Sequence, residues 1–579
     1  MPVYNSDIAE IFEKVADLLE IEGANQFRVR AYRDAARTIR SLSRSLTDLI
    51  EEEEDLTELS GIGEDLAGKI QEIVETGELD QLERLTRQTP ADLAKMLEIS
   101  GLGPKRVRSI HEDLGVSNLK QLRAAASEGR IQELDGLGPK TESKILEDLE
   151  KRDGEQQRTL LAVAEEFTGP LVEYLREEDA VERVEVAGSY RRRKETVGDL
   201  DILVISDQGE KVAEHFVNFE DVEEVVSQGE TRASVVLRSG LQVDLRVVVE
   251  QSYGAALMYF TGSKAHNISL REMAVEKDLK INEYGVFPAD GDQEQEDSIA
   301  GESEQEIYRL LDLPFIVPEL REDRGELEAA REDQLPELIT LDDLKGDLQT
   351  HTQASDGRNT LREMAEAARE LGYEYLALTD HTGYLGVTQG LEGDEVLERM
   401  EEIQALDEEL DDIVLVKSME VDILEDGSLD LPDEILDQLD LVVGSIHSHF
   451  NLSREKQTER ILRAMDHPQF NILGHPTGRR IHEREPYRID LEKVIEGALD
   501  RGCFLEVNAH PSRLDLKDTH CQLAVEKGLK LAISTDAHST DELRLMAYGV
   551  DQARRGWVTP DDVINTRPWK EFQALLNGS

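Results

Sequence analysis

The feature that most constrains the fold is Asp199-Leu200-Asp201 running straight into the apolar stretch Ile202-Leu203-Val204-Ile205. Such a stretch demands a buried strand. Side chains alternate across a strand, so the two acids leave one face, and that face is poor core because unpaired carboxylates are costly to bury. Upstream, Gly188-Ser189-Tyr190-Arg191-Arg192-Arg193 forms a phosphate-type turn that reaches the strand through Gly198. Asp244, within the alternating run Leu241-Gln242-Val243-Asp244-Leu245-Arg246-Val247, is the third acid. Three carboxylates on neighbouring strands suit paired Mg²⁺ ions, which would lower the pKa of an attacking hydroxyl and neutralise a phosphate. Gly188, Ser189 and Arg192 would hold the departing phosphates. For Asp-x-Asp alone, a strand end with a solvated acidic edge is the alternative.

The stretch from 188 to 201 resembles the signature of the family X DNA polymerases, Gly-Ser-aromatic-Arg-Arg followed by Gly-Asp-x-Asp. The resemblance implies that Asp199, Asp201 and Asp244 bind Mg²⁺ or Mn²⁺ and are catalytic. It also implies that Gly188, Ser189, Arg192 and Gly198 contact an incoming dNTP. Arg193 stands where the family usually has glycine. Further on, Tyr259-Phe260-Thr261-Gly262-Ser263 and Asn267 extend the resemblance, with Tyr259, Phe260, Gly262 and Asn267 placed at the nucleotide and Asn267 reaching the minor groove. Core aromatics at a helix end are the alternative for the pair. His266 reads as a surface residue.

Composition at first argues against nucleic acid: 125 acidic residues stand against 65 basic, a net charge of −60,. Only 21 of the basic residues are lysine and 44 are arginine. A Lys-poor, acid-rich surface on folded-looking sequence suits molar salt, where the Debye length is about 3 Å and self-repulsion is small. This pattern points to a halophile, an archaeon; a generally acidic bacterial protein is the alternative. Cys503 and Cys521 are too few for a disulfide framework and fit a reducing cytoplasm,. No apolar run approaches membrane-spanning length.

From the N-terminus, residues 6–50 read as helical, with Ile8, Ile11, Val15, Leu18 and Leu19 on one face,. A Gly-apolar-Gly turn then recurs at Gly61/Gly63, Gly101/Gly103 and Gly136/Gly138. This is a helix-hairpin-helix repeat, whose exposed backbone N–H groups can hold a DNA phosphate beside a K⁺ or Na⁺ ion. A structural turn repeat is the alternative. Lys69 lies where some family members carry a Schiff-base lysine, which would give lyase activity. Asp65, four residues earlier, favours the charged form, so Lys69 reads rather as a solvated helix lysine,.

From Asp347 onward, short apolar strands alternate with amphipathic helices, and polar residues cluster at strand ends, where an α/β barrel keeps its site. Asp347, Gln349 and His351 share one strand face, and imidazoles with carboxylates suit Zn²⁺, Mn²⁺ or Fe²⁺,. Thr379-Asp380-His381, Gly474-His475-Pro476 and Ser534-Thr535-Asp536-Ala537-His538 resemble the motifs of the polymerase and histidinol phosphatase (PHP) domain. That domain is a distorted seven-stranded (βα)₇ barrel with up to three metal ions. The resemblance implies His351, Asp356, His381, Glu420, His447, His475, Asp536 and His538 as ligands. Gln349 stands where many members have histidine, which puts one metal position in question. His467 and His520 read as structural; His449, His482 and His510 receive no role.

The expected architecture is multidomain. Residues 1–88 form a helical DNA-binding domain, 89–152 a fingers-like helical domain, 153–252 an α/β nucleotidyltransferase palm, 253–317 a thumb, 318–340 a linker and 341–579 the PHP barrel. The acidic stretch 289–304 is expected to be a loop,. The expected function is gap-filling DNA synthesis in base excision repair or end processing by a cytoplasmic monomer acting on gapped or nicked DNA and dNTPs, with a metal-dependent phosphoesterase in the barrel, a 3′–5′ exonuclease or 3′-end phosphatase that could also act at abasic sites. Two other classes remain: a metallo-phosphatase tethered to DNA by an inactive polymerase half, and a non-enzymatic DNA-end scaffold.

Overall fold

The structure, a computed structural model, describes residues 5–40, 42, 46–51, 54–59, 61–77, 79–88, 93, 96–97, 99, 102–134, 137–154, 158–289, 298–383 and 390–577. The chain divides into two compact units, Met1–Arg158 and Thr159–Ser579.

The first unit is helical. Asn5–Glu22 presents Ile8, Phe12, Val15, Leu18 and Leu19 to a core shared with Tyr32 of Gln26–Arg40 and with Ile70 and Ile73 of Glu64–Thr76. A second core gathers Val107, Ile110, Leu122 and Ile145 from Pro104–Leu114, Leu119–Ser127 and Pro139–Gly154. The Gly-x-Gly repeat is visible in the hydrogen bonding. Ile62, Leu102 and Leu137 each point into a core, and each donates its N–H to the carbonyl three residues back, on Leu59, Ile99 and Leu134. Gly63 and Gly103 then cap their helices with no side-chain acceptor, and a Cβ on Gly63, Gly103 or Gly138 would meet nothing within 4 Å. The helix starts are therefore open to an anion. Gly101 and Gly136 lie outside the described residues.

In the second unit, a five-stranded sheet is ordered Arg183–Val186, Asp199–Ile205, Gln242–Val248, Arg232–Leu237, Val222–Gln228. Its central pair, Asp199–Ile205 with Gln242–Val248, is parallel and the other pairings are antiparallel. Beyond it, helices Tyr253–Thr261, Lys264–Glu276 and Glu304–Leu310 close over a core containing Met258, Leu270, Ile307 and Tyr308.

Two expectations change here. The linker expected over 318–340 is packed into a core: Arg321 and Glu326 are fully buried, Leu320, Leu327 and Ala330 join the core just described, and its middle is helical at Glu326–Arg331. Arg321 donates to Glu304 at 2.6 Å and to the Ile316 carbonyl at 2.9 Å, which satisfies a charge that could not otherwise be buried,. His266 is not at the surface either. It is fully buried between Glu326 (2.6 Å to Nδ1) and the Tyr308 hydroxyl (2.8 Å to Nε2), partners supplied by later segments,. Of the acidic stretch, 290–297 lie outside the described residues; past them, Ala300 bridges to Val286 and Glu304 opens a helix.

The C-terminal part is a seven-stranded, all-parallel sheet in sequence order: Gly346–Thr350, Tyr375–Leu378, Val414–Asp422, Leu441–Ser445, Ile472–Leu473, Phe504–Asn508 and Leu531–Ser534. A parallel bridge from Thr350 to Ala537 joins last strand to first, so the sheet nearly closes. Six of these strands are buried at every residue, which is why Tyr375–Leu378 and Leu531–Ser534 read as apolar runs without alternation,. Among the described residues no helix is long and apolar enough to cross a membrane.

Candidate active sites

Parallel register sets Asp201 directly opposite Asp244, and Asp199 opposite Gln242, whose amide donates to Asp244 at 3.1 Å. The three acids therefore share one sheet face. Burial, then repulsion from Asp199 and Asp244, pushes Asp201 up to about 7. A divalent cation would relieve that strain, so the residues present fit one. Gly188 takes φ +63°, and a Cβ there would come within 2.5 Å of Asp201 Oδ2. Only glycine lets the turn lie against the acids.

The rest of the turn is placed by side-chain pairing. Arg191 forms a fork with Glu304 at 2.7 and 2.9 Å. Arg192 donates to the Thr261 carbonyl at 2.5 Å and to Glu322 at 2.9 Å, and its Nη1 lies beside Gly262. Ser189 and Gly198 are partly exposed. Tyr259 and Phe260 end their helix edge-to-face, 5.2 Å between ring centres, with Arg271 over the first ring and Arg246 over the second. Asn267 donates to the Tyr259 carbonyl at 2.7 Å, which ties it to the aromatic pair. In the first unit, Lys69 pairs with Asp65, as its spacing predicts, but its side chain is only 14% exposed and sits by the Tyr32 ring. It is sheltered rather than solvated.

In the barrel, every residue expected to bind metal converges at the C-terminal strand ends. His351, Asp356, His381 and His538 form one group; His381, Glu420 and His447 a second; His351, Glu420 and Asp536 a third. His475 joins the second group, with Nε2 3.0 Å from Glu420 Oε1 and 3.2 Å from His447 Nε2. Two imidazole nitrogens and one carboxylate oxygen thus converge on a common point. Imidazole and carboxylate donors converging in this way fit a metal ion,. Burial lowers the His538 imidazole, but Asp356 outweighs it and raises the ring to about 10. Gln349 is fully buried beside Gly474 with neither amide atom hydrogen-bonded.

A supporting layer was missed in the sequence. His447 Nδ1 donates to Asp422 at 3.1 Å, Asn508 donates to Asp536 at 3.0 Å, and Arg513 lies 3.3 Å from Asp536. Asp380 is not with the metal donors: it accepts from Thr352, Ser355 and Arg399. The available signal was polar residues inside strands, as in Glu506-Val507-Asn508.

Family profiles agree with this geometry. The described matches are the DNA polymerase beta palm over residues 164–263, the DNA polymerase beta thumb over 256–322 and the PHP domain over 347–510. Helix-hairpin-helix profiles match 3–79 and 89–151. The DNA polymerase/3′-5′ exonuclease PolX of Bacillus subtilis (strain 168) is 37% identical over 576 residues, 99% of each chain. The chain belongs to the family X DNA polymerases that carry a PHP domain. DNA polymerase lambda of Rattus norvegicus is 25% identical over 343 residues, 55% of this chain and 56% of that one. A probable phosphatase of Thermoanaerobacter sp. (strain X514) is 32% identical over 231 residues, 38% of this chain and 89% of its own. As in PolX of Bacillus, polymerase and PHP parts share one polypeptide.

Proposed function

We propose that this family X chain is a DNA polymerase that fills short gaps during repair and carries a 3′–5′ exonuclease in its PHP barrel. One observation carries the reading: the acids opposed by register at Asp201 and Asp244 and the histidine-carboxylate groups of the barrel occur in one compact unit. The palm would span 153–252, the thumb 253–317 and the barrel 341–579, preceded by helical domains at 1–88 and 89–152.

At the palm, Asp199, Asp201 and Asp244 would hold Mg²⁺ or Mn²⁺, which supplies charge neutralisation at the reacting phosphate when bound. Gly188, Ser189, Arg192 and Gly198 bind the triphosphate and orient it along the turn. Tyr259, Phe260, Gly262 and Asn267 line the sugar and base side. In the barrel, His351, Asp356, His381, Glu420, His447, His475, Asp536 and His538 would hold up to three Zn²⁺, Mn²⁺ or Fe²⁺ ions, which polarise a phosphodiester when bound. Asp422 fixes the His447 ring so that Nε2 faces the site, and Asn508 aims Asp536,. The open glycine turns of the first unit bind DNA phosphates, with K⁺ or Na⁺ as companion ions. Lyase chemistry at Lys69 would require release from Asp65. The acid-rich surface suits a cytoplasmic monomer of a halophilic archaeon.

The test is a time course on an end-labelled primer in a short-gapped duplex, in molar KCl with Mg²⁺ or Mn²⁺. Extension with dNTPs and shortening without them are expected. Binding of the gap with neither reaction would replace this reading by a scaffold.

A further inference from the structure

Arg193 occupies a backbone conformation that favours glycine. Its φ is +54°, in the left-handed region, directly after the turn bearing Ser189 and Arg192. An L side chain is disfavoured there, so something must hold it. The guanidinium is held from two sides. Nη1 donates to Glu165 at 2.6 Å, while Nε and Nη2 both lie 2.7 Å from Asp551 Oδ2. Glu165 is itself engaged by the Tyr548 hydroxyl.

Asp551 and Tyr548 belong to helix Met546–Arg555, which packs on the barrel's last strands. The same helix reaches the turn again through Arg555, whose Nη1 donates to the Arg192 carbonyl at 2.6 Å. From another barrel segment, Arg479 pairs with Glu195 at 2.7 Å. Residues from the barrel thus grip the turn by the backbone of Arg192 and the side chains of Arg193 and Glu195.

We infer that the barrel is a positioning element of the nucleotide site, acting chiefly through the Arg193–Asp551 pair. Asp551 holds Arg193 in the left-handed conformation and so sets the direction in which Ser189 and Arg192 meet a triphosphate. Asp551 touches no reacting group; it is a positioning residue. The inference rests on the reading of residues 188–201 as a dNTP site.

The test uses the full chain on a one-nucleotide gap, with steady-state insertion kinetics and calorimetric titration of Mg·dNTP. Asp551→Asn is expected to raise the dNTP KM about tenfold with kcat changed less than about twofold, the signature of a displaced binding group. Its 3′-end shortening rate stays parental, which also reports an intact barrel. R193G/D551N is expected to recover the parental KM, because glycine holds a positive φ unaided. An unchanged KM in D551N, or no recovery in the double variant, overturns the inference. If the parental chain inserts no nucleotide, the polymerase reading fails instead, and the Mg·dNTP titrations decide the tether alone: equal binding by parent and D551N overturns it.

Discussion

Arg192 Nε donates to Glu322 Oε1 at 2.9 Å, and Arg555 Nη1 reaches the same oxygen at 3.1 Å. The guanidinium proposed to take a triphosphate already holds a carboxylate of its own chain. Nucleotide and Glu322 would therefore compete, and Arg555 would keep Glu322 when it is displaced.

Glu322→Gln should lower the dNTP KM by about threefold, in the range expected for loss of one partly buried ion pair. Single-nucleotide insertion kinetics measure it. A KM equal to the parent's would mean that Arg192 leaves Glu322 at no cost.

The two chemistries should separate by mutation. Asp201→Asn is expected to cut primer extension by more than about a thousandfold while leaving shortening intact, and His381→Ala to do the reverse. Both activities are followed on one labelled gap. Loss of both in either variant, with an unchanged unfolding profile, would defeat the assignment of separate sites.

Metal should contribute to the barrel's stability as well as to its chemistry. Glu420 lies within 3.5 Å of ring nitrogens of His351, His381, His447 and His475. Exhaustive chelation should lower the calorimetric unfolding temperature, and Mn²⁺ at a hundredfold its Kd should restore about 2.7 kcal/mol. Superimposable traces with and without chelator would mean that protons alone satisfy these donors.

Glu304 gives a pH-dependent prediction. Burial alone would raise this carboxyl, but Arg321 and Arg191 outweigh it and hold it below its ordinary 4.5. A carboxyl that is the stronger acid in the folded chain contributes its full stability above the unfolded value, and loses it as pH falls through the folded value. Glu304→Gln should therefore cost about 3 kcal/mol at neutral pH, leaving Arg321 buried beside a neutral partner. Denaturation curves should show the deficit closing as the pH drops below 4.5. A deficit independent of pH would assign it to shape instead of charge.

What the sequence made legible was local chemistry. Asp199 and Asp201 announce a shared strand face because alternation is a rule of one strand, and His381, His447, His475 and Asp536 announce themselves because each closes a largely apolar run. Illegible were the partners that come from far along the chain. His266 looked exposed because Glu326 and Tyr308, which bury it, lie in other helices. The charged stretch 318–340 read as a linker because pairing between Arg321 and Glu304 cannot be read from either residue alone. Arg193 looked like a departure from a glycine position; its backbone keeps the glycine-like conformation while its side chain reaches Asp551.

The order of the barrel's donors along the chain has a consequence for synthesis. His351 follows the first strand, and Asp536 and His538 follow the last, so nearly the whole barrel lies between members of a single donor group. A ribosome-bound chain that has emerged only as far as His475 lacks Asp536 and His538, and two of the three groups are incomplete. Fragments truncated before Asp536 therefore lack two complete donor groups, so the barrel's metal-binding capacity is finished only with its last strand.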